Sequence, residues 1–318
     1  MTLPSIALFG EPSAYLREKA EKHFTLVPHE QALSDPGKIR GILSYKSGRL
    51  NAEALSVFPN LEIVAHHGVG YDGIDVEWCV QQGVVVTHTP GVLNADVADF
   101  AIGLLLATVR KIPQADRYVR EGAWASAPFQ LTPSLQGRTL GIFGMGRIGR
   151  DIAHRAEAFG LTITYHNRRS VADCSYAYHP SLLSLAQACD VLLVAAPATP
   201  QTRKSVDAQI LSALGPNGIL INIARGSLID EAALIEALKQ KKIWGAGLDV
   251  FQKEPTPNPE FAALSNVILA PHIASATGPT RQAMSDLVVA NLVSYFDGKG
   301  PVTSVPETQS VKRNLKTI

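Results

Sequence analysis

The hexapeptide Gly144-Met145-Gly146-Arg147-Ile148-Gly149 sits between an apolar, strand-forming run at 139–143 and a run of helix formers at 150–159. A G-x-G-x-x-G spacing is weak by itself, because glycine is common. Placed between a strand and a helix, it reads as the turn that receives a pyrophosphate. The first two glycines let the chain turn tightly and approach the ligand, and the third lets helix and strand pack closely. The ligand then lies on a helix N-terminus, where unpaired N–H groups and the positive end of the helix dipole favour an anion. All six residues are therefore candidate cofactor ligands. A glycine-rich turn that binds nothing is the competing reading.

The rest of the chain has the pattern that such a turn requires. Short apolar runs at 139–143, 162–165, 191–195, 219–223, 245–250 and 267–269 alternate with helical stretches. One of these, 231–241, follows Asp230 as an N-cap. Six strands separated by helices predict a doubly wound parallel sheet. A second alternating series comes earlier, with strands expected at 5–9, 39–44, 63–66 and 84–87. Between the two series, 95–120 is dense in helix formers and interrupted only by Pro113, which predicts one long helix buried on most sides or used as an interface. The last helix is expected at 279–296, stopped by Asp297-Gly298. The tail 302–318 has little periodicity and is expected to be partly without regular structure.

At 318 residues the chain exceeds what one compact core usually serves, so two domains are expected. A formal net charge of +1 gives no reason to expect nucleic acid or an anionic membrane as a partner. The longest apolar runs are too short to span a bilayer, and no basic-then-apolar leader opens the sequence. The three cysteines, Cys79, Cys174 and Cys189, are far apart and in no metal-ligand spacing. They read as reduced thiols of a cytoplasmic protein. His66-His67 looks like a metal pair, but neighbours on a strand point to opposite faces and no third ligand is apparent, so no metal is expected.

The residue about eighteen positions after the last glycine selects between the two nicotinamide dinucleotides. An acid there accepts hydrogen bonds from the ribose hydroxyls and repels a 2′-phosphate. This chain reads His166-Asn167-Arg168-Arg169-Ser170, with no carboxylate. Two arginines and a serine can bind a 2′-phosphate through charge-assisted hydrogen bonds, so NADPH is preferred and NADH remains possible. The alternative is a solvated basic loop.

Three further segments fall at the C-terminal ends of expected strands, where open α/β sheets place ligands. They are Asn222-Ile223-Ala224-Arg225-Gly226, the stretch from Asp249 through Phe251 to Glu254-Pro255, and Pro271-His272-Ile273-Ala274-Ser275. Reduction of a 2-oxo acid needs a cation for the carboxylate, a proton donor for the carbonyl oxygen, and a group that keeps the donor protonated. Arg225, His272 and Glu254 are those chemical types. Singly, each has a duller explanation as a salt-bridge arginine, a core histidine or a surface glutamate.

With these segments in place, the sequence resembles the D-isomer-specific 2-hydroxyacid dehydrogenases, and within them the glyoxylate/hydroxypyruvate reductases. The likeness runs from about Gly41 to Pro301. It includes His67-Gly68-Val69-Gly70-Tyr71-Asp72-Gly73-Ile74-Asp75, Thr89-Pro90-Gly91-Val92-Leu93 and Asp96-Val97-Ala98-Asp99, then the glycine turn and the three segments above. The resemblance implies two Rossmann-like, doubly wound α/β domains around a cleft. A discontinuous substrate domain, 1–97 with 286–318, would enclose a dinucleotide domain at 98–285. It implies that Arg225 binds the substrate carboxylate and carbonyl, that His272 is the acid/base, and that Glu254 orients and charges it. Backbone N–H groups of Val69 and Gly70 would also hold the carboxylate. Asp249 would accept from the nicotinamide carboxamide. Ala196, Pro197, Ile223 and Ala224 would line the nicotinamide end, and Thr202 and Ala274, with Arg225 and His272, would also bind the cofactor. A homodimer built on the 95–120 arm is also implied.

Three residues keep two readings each. Lys46 either reaches the distal end of a substrate or is an ordinary loop lysine. Trp124 and Phe129 either approach a neighbouring subunit's site or simply pack a dimer. Among functions, reduction of glyoxylate or hydroxypyruvate leads, and 2-ketogluconate is the alternative substrate because pocket shape, not the triad, senses side-chain length. A formate dehydrogenase would pair its histidine with Gln, and a phosphoglycerate dehydrogenase would usually keep the acidic residue and often an added domain. A dinucleotide-sensing corepressor is the rival of another class, but its extra interaction segments have no counterpart here.

Overall fold

The computed structural model describes residues 3–45 and 49–311, so Lys46 lies outside the described residues. The chain forms two compact units, 1–93 with 277–318, and 94–276.

The first unit carries β1 (Ser5–Phe9), β2 (Thr25–Pro28), β3 (Ile39–Ser44), β4 (Ile63–His66) and β5 (Val85–Thr87), all parallel, in the order β2-β1-β3-β4-β5. Both faces are covered. Ala7, Ile42, Val64 and Val86 enter one apolar cluster, whereas Ile6, Leu8, Leu43, Ile63, Ala65 and Val85 enter another. Burial on both faces is why these strands read as continuous apolar runs instead of alternating ones. The helix Gly278–Phe296 returns to this unit and gives Val288, Val289, Leu292 and Tyr295 to the second cluster. It ends at Asp297, with Gly298 in the left-handed conformation (φ +82°), as the stop signal required.

The second unit carries β6 (Thr139–Phe143), β7 (Thr162–His166), β8 (Ala177–Tyr178), β9 (Val191–Val194), β10 (Ile219–Asn222), β11 (Gly245–Leu248) and β12 (Val267–Leu269). The order is β12-β11-β10-β9-β6-β7-β8, again all parallel. This is the doubly wound dinucleotide order with one further strand. The strand order reverses between β6 and β9, and the glycine turn leaves β6 at that point.

One expectation needs correction, and two strands appear that were not expected. The stretch 95–120 is two helices, Asn94–Arg110 and Ile112–Arg120, broken at Lys111 (φ +51°). Pro113 has no N–H to continue the ladder, and it falls in the first turn of the second helix, where none is needed. The two units divide at Leu93/Asn94 and Ala276/Thr277, and the helix Asn94–Arg110 packs on β10, β11 and β12 of the second unit. Strands β2 and β8 went unread, one ending in proline and the other two residues long. In the described part of the tail, Val305 and Thr308 are buried, and both bond to Val86 of β5.

Candidate active site

The glycine turn is built as its spacing requires. Gly144 has φ +108°, and a methyl group there would lie 2.4 Å from the Ala196 nitrogen in the loop after β9. A methyl group at Gly149 would lie 2.3 Å from the Gly144 carbonyl oxygen. These two glycines are required by the protein itself. Gly146 is not: its φ of −94° is ordinary, and no protein atom lies within 4 Å of an added methyl group. It is exposed and caps the helix Arg147–Glu157 without a side-chain hydrogen bond. The open side of Gly146 and the uncapped first turn form a cradle that an added Cβ would fill, so the residues present fit a pyrophosphate.

Asn167, Arg168, Arg169 and Ser170 follow β7. The Asn167 amide is committed to the glycine turn, accepting from the Met145 N–H (2.7 Å) and donating to the Met145 carbonyl (3.4 Å). Arg168, Arg169 and Ser170 are exposed. Ala196 and Pro197 lie in the loop after β9, which Thr202 braces: its hydroxyl donates to the Pro197 carbonyl (2.8 Å) and accepts from the Thr199 N–H (2.8 Å).

Arg225, Glu254 and His272 come from three loops. His272 Nδ1 lies 2.7 Å from Glu254 Oε2, and Glu254 Oε1 accepts from the Phe251 N–H at 3.0 Å. Burial alone would raise the Glu254 carboxyl. The bonds from His272 and Phe251 and the charge of Arg225 outweigh it and hold the group below the ordinary carboxylate value. An ionised carboxylate only accepts, so Nδ1 carries the hydrogen and Nε2 is left to exchange protons. His272 itself has φ +55°, a conformation that costs a non-glycine residue about 1–2 kcal/mol. The strain is held by its own N–H on the Asp249 carbonyl (2.8 Å) and by the Asp249 carboxylate, which accepts from Ile273 (2.8 Å) and Ala274 (2.9 Å).

Asp249, expected at a nicotinamide carboxamide, is 0% exposed with both oxygens bonded to backbone. Burial raises its carboxyl, and the two N–H groups partly offset that. What it does in this structure is fix the segment that carries His272.

Arg225 is set by Asn222, which is fully buried at the end of β10. The Asn222 amide accepts from Ala224 N–H (3.0 Å) and donates to the Arg225 carbonyl (2.9 Å), closing the turn through Ile223. The guanidinium donates to the Ala224 carbonyl at 2.7 Å. Asn222 and the Phe251 N–H are the supporting groups that sequence reasoning left without a role. The signal for Asn222 was an amide at the end of an otherwise apolar strand.

Val69 and Gly70 belong to the first unit, in the turn after β4. Two histidine rings hold their carbonyls: His88 Nδ1 donates to Val69 (2.9 Å) and His66 Nε2 to Gly70 (3.2 Å). His66 Nδ1 meets the Ser44 hydroxyl at 3.1 Å, so both its nitrogens serve the fold. Among the described residues no helix is long and apolar enough to cross a membrane, and no cluster of three or more His, Cys, Asp or Glu could hold a metal.

A glycine turn at the switch point of a doubly wound sheet, with an Arg, Glu and His set at the strand ends of the same unit, defines a dinucleotide-dependent oxidoreductase of a particular lineage. Residues 102–274 match the family model described as D-isomer specific 2-hydroxyacid dehydrogenase, NAD binding domain, and the chain belongs to that family. It is 47% identical over 300 residues to a glyoxylate/hydroxypyruvate reductase A of Arabidopsis thaliana, covering 92% of this chain and 96% of the relative. It is 42% identical over 305 residues to a 2-ketogluconate reductase of Gluconobacter oxydans, covering 95% and 98%. Among solved structures, an NADPH-dependent glyoxylate/hydroxypyruvate reductase from Sinorhizobium meliloti, in complex with NADP and malonate, superposes with a TM-score of 0.93. The two share 47% identity over 98% of this chain and 99% of that one.

Proposed function

We propose that this protein reduces a small 2-oxo acid, glyoxylate or hydroxypyruvate, to the D-2-hydroxy acid, using NADPH. The observation that carries the reading is the 2.7 Å contact of Glu254 with His272 Nδ1, which leaves the opposite ring nitrogen as proton donor. The cofactor, when bound, supplies the hydride that the carbonyl carbon accepts. His272 Nε2 gives the carbonyl oxygen its proton, and Glu254 balances the charge that the ring carries before the transfer. Arg225 binds the carboxylate and draws electron density toward the carbonyl oxygen.

The glycine turn holds the pyrophosphate, Arg168, Arg169 and Ser170 hold a 2′-phosphate, Ala196, Pro197, Ile223 and Ala224 line the nicotinamide end, and Thr202 and Ala274 belong to the same cofactor site. The NADPH-dependent relative from Sinorhizobium meliloti supports this cofactor choice. The likeness to a 2-ketogluconate reductase favours a longer sugar acid as the second reading of the substrate.

A homodimer and a cytoplasmic setting belong to the same proposal. Ile112 (52%), Val119 (55%) and Trp124 (65%) are exposed apolar residues on the arm after the helix Asn94–Arg110, which suits an interface. The three cysteines are unpaired, as in a reducing compartment. The test of function follows the absorbance of NADPH mixed with the protein and glyoxylate, hydroxypyruvate or 2-ketogluconate in turn. Turnover of the two short acids is expected, and absence of turnover with all three would overturn the reading.

A further inference from the structure

The loop that leaves β7 after His166 and returns at β8 is closed at its base by sheet pairing. Tyr165 is the register partner of Tyr178, the His179 N–H donates to the Tyr165 carbonyl (2.8 Å), and His166 Nδ1 donates to the His179 carbonyl (2.8 Å). Above the base, the two tyrosine hydroxyls both turn to the loop backbone. Tyr178 Oη donates to the Asn167 carbonyl at 3.3 Å, and Tyr165 Oη accepts from the Val171 N–H at 2.9 Å. Their rings lie with centroids 5.5 Å apart.

Three more bonds tie the loop outward. The Asn167 amide grips both backbone groups of Met145 in the glycine turn, and Arg150 of the following helix donates to the Asp173 carbonyl at 2.8 Å. Between these fixed points stand Arg168, Arg169 and Ser170. Their side chains are exposed, and no hydrogen bond or ion pair engages them among the described residues. The backbone of this segment is therefore held at both ends while its three donor side chains stay available.

The chemistry of Tyr165 separates its two parts. The ring is buried in the second unit, a place phenylalanine would fill equally well. The hydroxyl adds one bond, and that bond goes to Val171. At Tyr178 likewise, among the described residues the hydroxyl bonds only to the loop. These oxygens are placed to shape residues 167–171, not to complete the core.

We propose that Tyr165 and Tyr178 are positioning residues that hold the 167–171 loop in the shape receiving a 2′-phosphate, and thereby set the preference for NADPH over NADH. This rests on the NADPH reading above. A loop ordered before the ligand arrives loses less conformational freedom on binding, and the gain falls only on the ligand that carries the extra phosphate. Because Asn167 also grips Met145, the pyrophosphate turn and the 2′-phosphate loop act as one hydrogen-bonded piece.

The experiment titrates 2′,5′-ADP and 5′-AMP into the wild-type protein and into Tyr178→Phe and Tyr165→Phe, by calorimetry. The ratio of kcat/KM for NADPH to that for NADH is measured alongside. Each variant is expected to lose about three- to tenfold in affinity for 2′,5′-ADP, the effect of one hydrogen bond, with little change for 5′-AMP and a matching fall in the kinetic ratio. Equal losses for both nucleotides, or no loss for either, would overturn the proposal while leaving the cofactor reading intact. A wild-type protein that binds the two nucleotides equally would overturn the cofactor reading itself and this inference with it. Tyr178 lies half-buried at the sheet edge, so Tyr178→Phe supplies the answer even if Tyr165→Phe does not fold.

Discussion

A methyl group added to Gly226 would lie 1.8 Å from the carbonyl carbon of Phe251 and 2.2 Å from the Gln252 nitrogen. The loop after β10 and the loop after β11 therefore touch backbone to backbone at this point. Arg225 immediately precedes the contact on one loop. On the other, the Phe251 N–H bonds to Glu254. Glycine at 226 is what allows the guanidinium and the carboxylate to share a site.

Gly226→Ala forces the two loops apart. Overpacking of this kind costs about 1–3 kcal/mol of stability. A displacement near 1 Å at a reacting centre costs roughly a hundredfold in rate. We expect kcat for 2-oxo acid reduction to fall by about that factor while 2′,5′-ADP still binds, since the glycine turn and the Arg168 loop lie on other strands. A variant with unchanged kcat would show that the spacing of Arg225 and Glu254 is not critical.

Glu254→Gln keeps an oxygen for the Phe251 N–H but removes the charge that His272 Nδ1 faces. Reduction should slow by roughly 10²-fold or more, the scale of general acid–base assistance, with NADPH affinity preserved. The wild-type carboxyl is held below its ordinary value of 4.5, so the group stays charged as pH falls through 4.5. Any contribution that needs the carboxylate, to rate or to stability, is present above that value and is lost only as pH drops through the lower folded value. A wild-type acid limb that Glu254 sets must therefore lie below pH 4.5, and one lying above it would assign the limb to another group.

Arg168→Ala tests the basic loop directly. One charge-assisted hydrogen bond contributes about 1.5–3 kcal/mol, so kcat/KM with NADPH should fall by roughly 10- to 100-fold while the value with NADH changes little. Equal falls with both cofactors would contradict a 2′-phosphate contact. Arg169→Ala in the same assay reports which arginine carries more of it.

How far the sequence could be read depended on the kind of signal. Strands such as Val191–Val194 and Ile219–Asn222 are buried along their whole length, and a continuous apolar run announces them. The strand Ala177–Tyr178 is two residues at an edge, too short for any period to show. The glycine turn was legible because its geometry is local. Arg225, Glu254 and His272 could be named by chemical type and family resemblance, and the Glu254–His272 contact joins residues 18 positions apart. Their supports were not legible. That Asn222 closes the Arg225 turn, or that Asp249 turns inward to Ile273 and Ala274, depends on side-chain directions at strand ends, which no spacing rule encodes.

His67 gives the first unit a pH response of its own. Its ring is 4% exposed, Nδ1 has no hydrogen-bond partner among the described residues, and Nε2 lies 3.4 Å from the Ser285 hydroxyl. The Tyr45 ring packs on it at 4.5 Å, and among the described residues the charged or titratable groups nearby are Arg281 and His66. Burial, followed by the positive charge of Arg281, pushes the imidazole down from 6.5 to about 4. A histidine whose folded value is depressed favours the native state only while neutral. Its contribution is complete above 6.5 and is lost as pH falls toward about 4. A shift of that size corresponds to about 3 kcal/mol between the two limits. His67→Asn cannot take up this proton, so its stability, lower at pH 7, should decline less on acidification. Urea unfolding of both proteins from pH 7 to pH 4 measures the difference. Parallel declines would mean that some other group takes up the proton.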